Sequence, residues 1–283
     1  MRHVAQWSLL CVLCLLGTQQ GQAQQQDQVP PPMPPVIEWP PERTAKLPET
    51  NGAVILGEAE YWPGATRPTQ GAKRPVLAAQ ERCPEAPIDV TGASPEERGL
   101  ACAAASNAIQ LLSRCGISLR RPLNVQIMSE VRHPFSGPIF GLFDIKQDRV
   151  LVTQEANITA MVKDTPYAKL PLRDFYRSLI VHEVVHGIMH QNLKRPAASH
   201  AVYEYPAYAL QIESLAPTVR DEFLQSFDQT TMTSDFMFND SVLFFDPYFF
   251  AARAYRHFKA SADRCAHLAA LLQGEASFIA PPM

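Results

Sequence analysis

The sequence predicts an α+β fold: a small, mostly antiparallel sheet packed on one long apolar helix, followed by a helical C-terminal region. Three observations carry this expectation. Residues 123–153 hold short alternating or apolar runs separated by turn residues. Residues 178–190 are apolar with Glu183 as their one acidic or basic residue besides histidine. Residues 217–275 are rich in aromatic side chains at helix-compatible spacing. The composition agrees with a globular chain: 46% hydrophobic and 19% charged over 283 residues excludes wholesale disorder. A net charge of −3 gives no electrostatic case for nucleic-acid binding, which calls for clustered Lys and Arg.

In chain order, Arg2 and His3 precede an apolar run over residues 7–16, and small residues Gly21 and Ala23 follow. A basic start, a short apolar centre and a small-x-small site define a secretory signal peptide over residues 1–23, cleaved after Ala23. The run is too short to span a bilayer, which takes about 20 residues. The mature chain is therefore expected to be exported, periplasmic or secreted, with no stable membrane insertion. Residues 24–75 begin Gln-rich and turn Pro-rich at 30–35. Such a segment buries too little apolar surface to fold and reads as a disordered tether and irregular lead-in. Residues 76–283 form the single folded domain.

Cys11 and Cys14 leave with the signal, and Cys83, Cys102, Cys115 and Cys265 stay. Four cysteines in an exported protein predict two disulfides. Ser94 before Pro95, Glu96 and Glu97 marks a helix start, and Gly116 marks its stop. Cys102 and Cys115 would lie on that helix about 20 Å apart. A disulfide needs Cα atoms within about 7 Å. Cys83 therefore pairs with Cys102 or Cys115, and Cys265 with the other. Downstream, Leu123–Met128 alternates apolar and polar as a half-buried strand does. Residues 137–144 and Arg149–Thr153 read as strands joined by a polar turn.

The apolar run that follows contains His182-Glu183-x-x-His186. Residues four apart project from one face of a helix, so both imidazoles can hold one metal ion. Glu183, one position on, reaches a water on the metal and acts as general base. Gly187 leaves room for a close approach just past the second histidine. A catalytic zinc takes three protein ligands, so another segment must add one. Glu204 on a second helix, 18 residues beyond His186, is the first candidate, with His200 and Glu213 as alternatives. His190 sits one turn past His186 and reads as a helix-end histidine at the dipole's negative pole. Pro206 is tolerated only in a first turn, which places Glu204 at the start of its helix.

These residues resemble the gluzincin class of zinc metallopeptidases. Glu204-x-x-Ala207-Tyr208 also resembles the glutamate-bearing second helix of small exported bacterial zincin-like proteins. The resemblance implies a zincin-like fold, Zn2+ held by His182, His186 and Glu204, and Glu183 as base. The metzincin pattern does not fit, because Met189 and Asn192 stand where it needs Gly and His. Metallopeptidases of this kind use a Tyr or His to stabilise the oxyanion, and Tyr208, Tyr255 and His257 are the candidates. The implied activity is hydrolysis of a peptide or protein substrate. The alternative is a zincin-like binding or envelope-associated protein without turnover.

Overall fold

The computed structural model describes residues 80–133, 137–195, 199–227, 238–276 and Phe278. The predicted signal peptide, tether and lead-in lie outside the described residues. A short β1 (Glu81–Arg82) and β2 (Ile88–Thr91) lead into α1 (Pro95–Ser113). Ser94 caps α1 through a capping box: the Glu97 N–H donates to Ser94 Oγ at 3.2 Å, and the Ser94 N–H donates to Glu97 Oε2 at 3.1 Å. Gly116 follows the helix at φ +70°, a left-handed turn that a glycine takes without strain. The buried stripe of α1 is Ala101, Ala104, Ala105, Ala108 and Leu112. Small residues at helical spacing bring its axis close to the long helix described below.

Strands β3 (Leu123–Met128), β4 (Val131–His133), β5 (Gly137–Ile139), β6 (Gly141–Asp144) and β7 (Arg149–Thr153) follow. The main sheet has the order β1-β2-β3-β7-β6. On β3, Leu123, Val125 and Ile127 are buried while the residues between them are half-buried. One face of the sheet therefore meets the core, as the alternation predicts.

The sheet corrects the expected strand pairing. It is mixed: β2 with β3 and β3 with β7 are parallel, and β1 with β2 and β6 with β7 are antiparallel. The β2–β3 pair is parallel because α1 crosses over between them, and the β3–β7 pair because the chain passes through β4, β5 and β6 before returning as β7 beside β3. Residues 137–144 are also two strands, with β5 paired to β4 in a separate ribbon. Buried Thr153 joins the two sheets. Its hydroxyl donates to the Ile139 carbonyl at 2.7 Å and accepts from the Val131 N–H at 2.9 Å.

The rest is helical: α2 (Glu155–Val162), a 3-10 turn at Pro166–Lys169, α3 (Leu172–Asn192), α4 (His200–Glu213), α5 (Pro217–Gln225), α6 (Asp240–Phe245), α7 (Pro247–Ala260) and α8 (Arg264–Gln273). Helix α3 is the predicted apolar helix, buried without a break from Ser178 to Met189. A Cβ at Gly187 would lie 2.8 Å from Leu123 Cδ2 and 3.3 Å from Phe143 Cε2. The expected close approach is thus made by the sheet. The chain forms Cys83–Cys102 and Cys115–Cys265 disulfides. The second links the end of α1 to α8 across 150 residues. By loop-closure entropy it contributes about 5 kcal/mol, against about 3 for the first. Both fit an oxidising compartment. Among the described residues no helix is long and apolar enough to cross a membrane.

Candidate metal centre

Helix α3 puts His182 and His186 one turn apart with their Nε2 atoms 3.0 Å from each other. Glu204 comes to them from α4, with Oε2 3.3 Å from His182 Nε2 and Oε1 3.4 Å from His186 Nε2. All three residues are buried, and their ligand atoms form a group that could hold a metal ion. The spacing fits one: ligand atoms about 2.0–2.1 Å from a tetrahedral zinc lie about 3.3 Å from each other.

The chemistry of the donor set agrees. Two imidazole nitrogens 3.0 Å apart and a carboxylate with one oxygen 3.3–3.4 Å from each converge on one point. Nitrogen and oxygen donors of these types are the ones a zinc ion takes. Burial lowers the pKa of His182, which favours the neutral imidazole that binds metals. Burial alone would raise the Glu204 carboxyl, but the imidazoles against it, His186 foremost, hold it down at about 2. It is therefore an anion through the physiological range.

Helix α4 departs from expectation. It begins at His200, so Pro206 is its seventh residue and Glu204 its fifth, past the first turn. Pro206 lacks the N–H that would bond the Val202 carbonyl, a loss of about 3 kcal/mol in an exposed helix. Two features offset it. Eleven of the fourteen residues are buried, and Asp240 Oδ1 accepts from the Ala201 N–H at 2.8 Å, which holds the helix start.

Glu183 is buried beside the triad, and desolvation pushes its carboxyl up to about 8 in the absence of a metal. Its carboxylate lies over edge strand β6, where a Cβ at Gly141 would sit 2.7 Å from Glu183 Oε1 and 2.9 Å from Cδ. Gly141 thus clears the space that Glu183 fills. Gly141→Ala is expected to cost about 1–3 kcal/mol in denaturant unfolding, the usual range for overpacking. A Gly141→Ala, Glu183→Ala pair should recover part of that loss, and an additive pair would show that the two sites are uncoupled.

The cavity against this group is about 30 Å³, space for about one or two water molecules. His182, Glu183, Gly141, Tyr208, Tyr167 and Tyr248 contribute to its wall. Tyr208 packs edge-on to the His182 ring, with centroids 4.5 Å apart. Burial raises its phenol well above the usual value, so the hydroxyl keeps its proton.

Other predicted residues are placed elsewhere. Tyr255 lies under the Arg220 guanidinium, 5.4 Å from its ring centre, and does not line the cavity. His257 Nδ1 lies 2.7 Å from the Tyr205 hydroxyl, in an aromatic cluster with Phe238 and His267. His200 opens α4 with its ring 5.7 Å from that of Phe244. Glu213 is two and a half turns beyond Glu204 and pairs with Arg220 and Lys259, each at 3.7 Å. His190 lies in the last turn of α3, its ring 5.5 Å from Phe143.

Sequence reading missed Gly141, Tyr167, Tyr248 and Gln211. An isolated glycine in a strand marks close approach, so Gly141 carried a usable signal. Gln211 lies beside His182 on the cavity wall.

Fold and site together define an α+β protein with a buried His-His-Glu group able to hold a metal ion. A family model described as a family of unknown function, DUF6639, matches residues 88–281, and the chain belongs to that family. No curated protein and no solved structure matches the chain.

Proposed function

We propose that the protein is an exported zinc-dependent hydrolase, zincin-like in fold, that cleaves peptide bonds in peptides or proteins outside the cytoplasm. The observation that supports this most is the convergence of His182, His186 and Glu204 within 3.0–3.4 Å, with Glu183 on the same helix facing the adjoining cavity. His182, His186 and Glu204 hold the ion. When bound, it supplies Lewis acidity and lowers the pKa of a neighbouring water. Glu183 accepts a proton from that water as general base and returns it to the departing amine. The walls of the cavity exclude bulk water, and Tyr208, whose ring packs on His182, keeps its phenol protonated for the developing oxyanion.

One observation favours a second reading, a zinc-holding binding or envelope-associated protein without turnover. The cavity, at about 30 Å³, is too small for a peptide as it stands. The test is elemental analysis of the purified mature chain combined with a protease assay on an unstructured protein substrate. One zinc per chain, with cleavage lost on chelation and restored by zinc, supports the hydrolase. One zinc with no cleavage of any peptide mixture supports the second reading. A chain that takes up no divalent ion sinks both.

A further inference from the structure

The cavity holds a polar group that the proposed reaction does not use. Tyr167, in the 3-10 turn before α3, is 4% exposed and forms part of the same wall as His182 and Glu183. Its hydroxyl has no hydrogen-bond partner among the described residues. Three aromatic neighbours fix the ring. Phe175 stacks at 4.5 Å, Phe223 at 5.1 Å on a nearly parallel plane, and Tyr248 meets it edge-on at 5.4 Å. A side chain held this tightly cannot swing its hydroxyl out to solvent. An unpaired buried hydroxyl costs about 1–3 kcal/mol. The Tyr176 hydroxyl is also without a partner among the described residues, and what sets Tyr167 apart is its place in the cavity wall beside His182 and Glu183.

We infer that Tyr167 is a ligand-binding hydroxyl of this cavity, donating a hydrogen bond to the carbonyl oxygen of an acyl group bound beside the His182–His186–Glu204 centre. The donor direction follows from the chemistry around it. Burial and the nearby Tyr248 hydroxyl and Glu204 carboxylate keep the phenol protonated, and the group it serves must therefore accept. The wall beside it is apolar, formed by Phe140, Phe175 and Leu179. The preferred ligand thus carries an apolar group next to its carbonyl, and binding it requires side chains of the wall to move, since the cavity is about 30 Å³. The inference rests on the metal-centre reading and adds the substrate-side contact to it.

The test uses the zinc-loaded mature chain and L-leucine hydroxamate, a chelating acyl probe with an apolar side chain, with affinity read by isothermal titration calorimetry. Tyr167→Phe should hold zinc and unfold at the same temperature as wild type or higher, since it removes a hydroxyl that has no partner. Its affinity for the probe should fall about tenfold, the equivalent of one lost hydrogen bond. Tyr176→Phe is the control: the ring is as deeply buried but does not line the cavity, and its affinity should match wild type. Equal affinity of Tyr167→Phe and wild type overturns the inference, as does a zinc-loaded wild type that ignores the probe. Both results leave the metal centre standing. A wild-type chain without zinc overturns the metal-centre reading and the inference with it.

Discussion

Glu204→Ala is expected to lower zinc affinity about 10³-fold. Structural zinc sites bind with roughly 10–16 kcal/mol, so one of three protein ligands carries about 4 kcal/mol. The loss should be at the high end, because Glu204 supplies the one full negative charge that faces the ion and lies within 3.4 Å of both imidazoles. Glu204→Gln separates charge from shape: it keeps an oxygen in place and should fall between wild type and Ala. Competition against a chromophoric chelator measures all three, and far-ultraviolet circular dichroism of the metal-free chains checks that α4 is kept. Affinity that does not change on removing the carboxylate would mean that Glu204 only balances the charge of the two imidazoles. The metal centre would then lose its third ligand.

The sequence disclosed the parts of this centre that repeat along one helix. His182 and His186 are legible because a helix turns once in about 3.6 residues, and no other element has to be known. The same holds for Ser94 and Glu97, whose capping box is a local spacing. The two disulfides are narrowed to two pairings by the predicted helix holding Cys102 and Cys115; the structure ends α1 at Ser113 and puts Cys115 in the turn just beyond it, still too far from Cys102 to pair.

What escaped was set by contacts between distant segments. Parallel pairing of β2 with β3 depends on where α1 packs, which no strand's own alternation reveals. Pro206 misplaced the start of α4, because a local rule met a helix stabilised by burial and by Asp240 from a later element. Tyr167 and Gln211 reach the cavity from a 3-10 turn and from the far half of α4, with no spacing that ties either to the histidines. Tyr255 and His257 illustrate the converse error. Helical spacing of aromatic residues is equally the signature of packing, and both pack, one under Arg220 and one against Tyr205.

Glu183→Gln is expected to reduce turnover about 10²–10⁴-fold, the range for a lost general base, while zinc content and fold are retained. Glutamine matches glutamate in shape, so it fits the space that Gly141 leaves over β6, and it is not one of the three groups that face the ion. An amide cannot accept the proton that the carboxylate takes up, and this is the single property exchanged. The effect should appear in kcat and kcat/KM alike, because the interaction belongs to the transition state. A drop confined to KM would assign Glu183 to binding. Turnover equal to wild type at equal zinc would remove it from the reaction and leave the cavity without a base, since among the described residues the other carboxylate of the centre, Glu204, is held by the two imidazoles. The hydrolase reading would then give way to the zinc-holding one, which has no use for a carboxyl buried beside the metal.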